Sequence, residues 1–157
     1  MAVMRGWDGR GPATALTPAV LHLFRIARPE DLIQLVYARE LSVPAIAAVA
    51  PLVGRARDLG DQASAGILAR AAAELVLAAR AVVDAPGMAG DRFPVFLAGG
   101  VAGGIDWLVS EIGRQVAGLL PRADVRRHDT PPVMDAVRLA IAELAGGSTL
   151  AEYVRSR

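Results

Sequence analysis

The sequence contains no cysteine and no lysine among its 157 residues. Without cysteine, disulfides, thiolate metal sites and cysteine nucleophiles are excluded. Without lysine, so are a P-loop lysine, a Schiff base and a Ser-x-x-Lys nucleophile. All 17 basic side chains are arginine and asparagine is absent as well, a usage that GC-rich genomes tend to write. Aromatics make up only 4% of the chain, so the core is expected to be built from small aliphatic helix faces. Long apolar runs are missing too. None reaches the ~18 residues of a membrane-spanning helix, and the best stretch, Leu75 to Val83, is interrupted by Arg80. The opening "MAVMRGWDGRG" has no apolar signal-peptide core, so a cytoplasmic location is expected. The net charge is only +1, with no basic stripe and no interleaved aromatics. That argues against a nucleic-acid partner.

What is present is apolar. The chain is 54% hydrophobic and 21% charged, a composition that opposes disorder. Its length suits a single domain over residues 1–157. There is no internal repeat. "WDGRGPATALT" reads as a loop, with Thr17 as the cap and Pro18 as the first residue of a short helix. A second helix starts at "RPEDLIQLVYA". "SVPAIAAVAPLVGRARDLGD" reads as a helix over 42–58 that Pro51 kinks or breaks, with Gly60 as its stop and Asp61 as the cap of the next. The clearest helix is "DQASAGILARAAAELVLAARAVVD". Its apolar stripe is expected at Leu68, Ala71, Leu75, Ala79 and Val82, with Leu77 covered on a second face.

After the loop "APGMAGDR", the run "FPVFLAGG" reads as a strand buried on both faces. Ile105, Leu108, Val109, Ile112 and Val116 mark a helix. "ADVRRHD" is a weaker strand, and "TPPVMDAVRLAIAELAGG" a further helix with Val133, Val137, Ala140, Ile141 and Leu144 on one face. Gly146-Gly147 ends it, and Ser148 or Thr149 is a candidate cap for one more. Strand, helix, strand and helix at this spacing make a right-handed βαβ unit. The fold class is therefore α/β and predominantly helical, with two parallel strands and roughly six to eight helices.

The chemistry-bearing residues are few. The glycines of "LAGGVAGG" follow a strand and precede a helix, where backbone N–H groups can face an anion or a nucleotide. The spacing is neither GxGxxG nor a Walker loop, and a plain strand-to-helix turn is the competing meaning. His128-Asp129 stands at the end of the second strand, as a base or simply as an exposed loop pair. Asp106 could orient a ribose or a magnesium-bound water, or only complement its helix dipole. His22 lies among apolar neighbours, and two isolated histidines make no metal site. Arg5, Arg10, Arg126 and Arg127 could meet phosphate or form a solvated face. No carboxylate pair stands out as an acid/base couple, so no catalytic residue and no metal ligand is assigned.

Five segments in order, "DGRGPATALT", "PEDLIQLVY", "APLVGRARDLGDQASAGILARAAAEL", "PVFLAGGV" and "PPVMDAVRLA", together resemble the C-terminal half of the BadF/BadG/BcrA/BcrD-type ATPases. That family is similar to the N-acetylglucosamine kinases, which share the ribonuclease H-like fold of actin, the sugar kinases and Hsp70. The resemblance runs from about Ala2 to Ala142. It implies an adenosine-binding loop at Gly99, Gly100 and Val101, and ATP with Mg2+ as cofactor. It also implies an amino-sugar acceptor in the full-length relatives. The family's closing helix begins P-V-x-G-A, and here Asp135 stands in place of the glycine. The phosphate-binding and sugar-activating loops belong to the family's N-terminal half, which is absent from this sequence. The expected activity is therefore that of the C-terminal portion of a sugar kinase-like ATPase, inactive alone. Its expected partner is the missing half or a second copy. Two other readings stay open: a non-enzymatic helical domain that dimerises or binds a protein, and a small enzyme using His128 and Asp129.

Overall fold

The computed structural model describes residues 1–38, 41–84, 92–128 and 130–146. Helix α1 spans Ala2–Trp7 and α2 Leu16–Phe24. The second helix begins earlier than Thr17-Pro18 suggests. The Thr14 hydroxyl accepts from Leu16 N–H at 3.2 Å, while Asp61 accepts from Ala15 N–H at 2.8 Å. The cap is thus supplied partly from elsewhere in the chain.

Helix α3 covers Asp31–Tyr37, α4 Val43–Ala47 and α5 Ala50–Asp58. Ser42 caps α4 by accepting from Ala45 N–H at 3.3 Å. Pro51 marks a break rather than a kink, because it sits in the first turn of α5, where a missing N–H leaves no hydrogen bond unmade. Gly60, at φ +88°, ends α5, and Asp61 then opens α6, Gln62–Asp84, by accepting from Ser64 N–H at 2.7 Å.

The buried stripe of α6 is Leu68, Ala72, Val76 and Val83. It is rotated from the expected one, so Leu75 and Val82 lie exposed and Leu77 has no second cover. Alanine-rich helices present several nearly equivalent faces, and only the neighbouring helices choose among them. Those neighbours are α5 and α8. The core joins Val53 and Ala56 of α5 and the α6 stripe to Leu108, Ile112 and Val116 of α8 (Asp106–Leu119), with Val20 and Val3 at its margin. Gly54 lets α5 approach closely, since a Cβ built there would lie 3.2 Å from Ile105 Cγ1. Gly54→Val should therefore destabilise the fold by about 1–3 kcal/mol through overpacking. Urea denaturation would measure it.

Strand β1, Phe93–Leu97, pairs in parallel with β2, Ala123–Arg127, in the register Phe93↔Ala123 to Leu97↔Arg127. The crossover between them is a single helical turn, α7 (Gly100–Gly104), followed by α8. The expected βαβ unit is present, but β1 is not buried on both faces. Phe93, Leu97, Ala123 and Val125 pack against the core, whereas Phe96 on the opposite face is 56% exposed. No element covers that face among the described residues.

The last described helix, α9 (Pro132–Leu144), makes only sparse contact with the other elements. Val133, Val137, Ile141 and Leu144 do share a side, as the spacing predicts, but all four are exposed. No helix among the described residues is long and apolar enough to cross a membrane. The expected loop at 85–91, Gly147 and the suggested cap at Ser148 or Thr149 lie outside the described residues.

Candidate functional site at the carboxyl end of the strands

In open parallel sheets, ligands bind beyond the carboxyl ends of the strands. Here that end is built by the turn after β1, the first turn of α8, the end of β2 and the start of α9. The turn after β1 depends on Gly99, whose φ of +94° lies where side chains are strained. This conformation swings the chain from strand into α7, and the Gly99 carbonyl then accepts from Gly103 N–H at 3.0 Å. The glycines thus form a turn of helix, which the sequence pattern did not foretell. Cβ atoms built at Gly99, Gly100, Gly103 or Gly104 would each meet nothing within 4 Å. No part of the described chain makes these positions glycine by crowding them. Val101, the third candidate, is 46% exposed beside them.

Two side-chain pairs knit the neighbouring elements together. Arg127, the last residue of β2, donates to Asp106 at the start of α8. This fixes Asp106 as a partner of β2 across the strand–helix junction. The second pair joins His128 Nε2 to the Asp135 carboxylate in the first turn of α9. His128 also donates its backbone N–H to the Leu97 carbonyl at 2.9 Å, extending the strand pairing by one bond. Its ring meets Phe96 edge-on, with centroids 5.9 Å apart and planes at 73°. The side-chain partner of His128 is therefore Asp135. Asp129, the partner suggested by adjacency in sequence, lies outside the described residues.

The structure brings together Gly99, Gly100, Val101, His128 and Asp135 at one end of the sheet, with the Asp106–Arg127 pair on the α8 side. It leaves His22 exposed on α2, Arg10 bonded to Asp8 and Arg126 bonded to Asp124. The sequence reading missed the His128–Asp135 pair. The available signal was topological: the residue after a strand can reach the first turn of the helix that follows it.

Among the described residues, the carboxyl displaced furthest is that of Glu111 on α8, held down at about 2 by hydrogen bonds from Arg114 and then Gln115. This is a helix-surface pairing of neighbours three and four residues apart. Among the described residues, no group of three or more histidines or acids could hold a metal ion.

A hollow of about 380 Å3 lies beside the glycine turn, between α5 and the α7–α8 junction. A larger one, about 810 Å3, lies at the amino ends of the strands around Arg92, Pro94 and Arg122.

No family model matches the chain, and no solved structure matches it. Two curated proteins are similar to it. The N-acetylmuramic acid/N-acetylglucosamine kinase of Clostridium acetobutylicum is 30% identical over 142 residues, which cover 90% of this chain and 46% of the relative. The N-acetyl-D-glucosamine kinase of Dictyostelium discoideum is 28% identical over 141 residues, covering 88% of this chain and 44% of the relative. The chain is thus N-acetylglucosamine kinase-like over most of its length, and it spans a little under half the length of each relative.

Proposed function

We propose that the chain is the C-terminal, adenosine-side portion of an ATP-dependent N-acetylglucosamine kinase-like protein of the BadF/BadG/BcrA/BcrD type, with the corresponding part of an actin-like fold. One observation carries the reading. The Gly99–Gly104 segment stands at the carboxyl end of β1 with open space at four glycine positions, in a chain similar to two such kinases. Glycines that no protein atom crowds suit the close approach of a ligand, here the purine and ribose.

The full kinase would transfer the γ-phosphate of ATP to an amino-sugar hydroxyl. That reaction needs positioned phosphates, magnesium and a base. The described residues offer ATP a cradle of open backbone but magnesium no cluster of ligands. Magnesium would therefore travel with the phosphates and with groups supplied by the other half. That other half is the partner in this reading, and the uncovered sheet face and α9 are where it would rest. The chain alone would then be inactive. Turnover of N-acetylglucosamine by the isolated chain in an ADP-release assay, lost on changing one of its own residues, would overturn that statement.

Nucleotide binding itself is tested by calorimetry with ATP. Gly99→Val is a poor probe because its positive φ adds backbone strain. Gly100 has no such constraint, so Gly100→Val should leave the denaturation midpoint nearly unchanged while weakening ATP binding at least tenfold. Wild-type affinity in Gly100→Val would exclude the glycine turn as the nucleotide site. A second reading, a non-enzymatic domain that dimerises or binds a protein, is favoured by the exposed apolar side of α9. A stable homodimer with no affinity for ATP would support it.

A further inference from the structure

We infer that the open hollow at the amino ends of the two strands binds a small organic phosphomonoester, held by Arg92, Arg122 and Arg126. It lies at the opposite end of the sheet from the glycine turn, and the inference does not rest on the nucleotide reading. Arg92 and Arg122 immediately precede β1 and β2. Carrying the parallel register Phe93↔Ala123 one residue back sets these two arginines opposite each other. Side chains two apart share a side of a strand. Pro94 therefore follows Arg92 on that side, and Asp124 and Arg126 follow Arg122. The exposure alternates to match, with Pro94, Asp124 and Arg126 all on the open side. The three arginines and Asp124 line one hollow of about 810 Å3, a size within the range of small-molecule sites.

The charge in the lining is unbalanced. Asp124 is its one acid among the described residues. Arg126 donates to that carboxylate from Nε at 2.7 Å and from Nη2 at 2.6 Å, which leaves the other two guanidinium charges over. Arg92 has no ion-pair partner among the described residues. Like charges set directly opposite across a strand pair are destabilising, and a dianion between them reverses the sign of that interaction. A phosphomonoester carries about −1.5 to −2 charges at pH 7, which matches the surplus. Guanidinium forks also suit its oxygens in geometry. The remaining walls are the rings of Phe93, Pro94 and Pro121. They give an apolar surface on which the organic part of the ester can lie.

Phenyl phosphate and inorganic phosphate are the probes, titrated calorimetrically into the chain at neutral pH and constant ionic strength. Phenyl phosphate should bind with a Kd of about 1 mM or below, and about tenfold more tightly than inorganic phosphate. Arg92→Gln should weaken phenyl phosphate about tenfold, yet without ligand it should melt no lower than wild type, because it removes one of two facing like charges. Asp124→Asn should tighten binding about threefold by removing the competing carboxylate. Gly100→Val should bind phenyl phosphate as wild type does. No binding of either probe, or unchanged affinity in Arg92→Gln, overturns the site. Equal affinity for the two probes, or for succinate and phenyl phosphate, overturns the assignment of an organic phosphate. Binding lost in Gly100→Val would move the ester to the glycine turn and likewise overturn it.

Discussion

Leu108→Ala should cost about 3 kcal/mol of folding stability, within the 2–5 kcal/mol expected when a leucine is truncated in a packed core. Leu108 is 2% exposed and stands in the core with Ile112 and Val116 on the buried side of α8. Helix α8 packs on α6 and backs the sheet, so a cavity there loosens the helical layer and the strands together. Domain stabilities are of the order of 5–15 kcal/mol, so the loss should appear as a large fall in the urea midpoint. Leu119→Ala is the control. Leu119 is 53% exposed at the end of the same helix, and its truncation should change stability by less than about 0.5 kcal/mol. Equal effects from the two leucines would contradict the burial assigned to α8.

The second large effect is expected at Asp61. Its carboxylate caps α6 through Ser64 N–H and joins α2 to α6 by accepting from Ala15 N–H and the Thr14 hydroxyl, the last at 3.0 Å. Asp61→Ala removes a helix cap and also strips a partner from Thr14, which is 8% exposed. A loss of about 2 kcal/mol follows from the usual cost of a lost cap together with a stranded polar group. Burial pushes the Asp61 carboxyl upward, but hydrogen bonds from Ser64, Ala15 and Thr14 together outweigh it and hold it below its ordinary 3.8. A depressed folded-state value means the carboxylate binds its proton more readily in the unfolded chain. Its stabilisation is therefore complete above the ordinary aspartate range and declines as pH falls through the folded value. Wild-type stability should drop more steeply below about pH 4 than that of Asp61→Asn. Parallel acid profiles would show that the three-way cap contributes no such linkage.

Asp61 also marks where sequence reading succeeds and where it stops. Its role as the cap of α6 was legible, because Gly60-Asp61 before a helical run is a local signal. Its hold on Ala15 was not, since those residues are brought together only by the packing of α2 against α5. The same division runs through the chain. The two parallel strands, the long helix and the break near Pro51 follow from local chemistry. The face that α6 buries does not, because alanine at most positions makes its sides nearly equal. At the candidate site, the glycines of the turn could be picked out by their position after β1. The pairing of His128 with Asp135, and of Arg127 with Asp106, required the crossover geometry. The arginine stack on Trp107 gave no sequence signal at all, since Arg57 and Trp107 are joined only by the contact of α5 with the α7–α8 junction.

The two strands differ in a way that gives the sheet a direction. Every residue of β1 is apolar: Phe93, Pro94, Val95, Phe96 and Leu97. Strand β2 carries Asp124, Arg126 and Arg127 among its five residues. Charge on a strand blunts its outer edge against further pairing, whereas an apolar run lacks that protection. Pro94 withholds one amide near the start of β1 and leaves the later residues able to donate. By charge, then, β2 is the protected edge of the pair, and β1 is guarded only by its proline. A strand docking on this sheet would meet less charge alongside β1, on the side away from β2, than alongside β2.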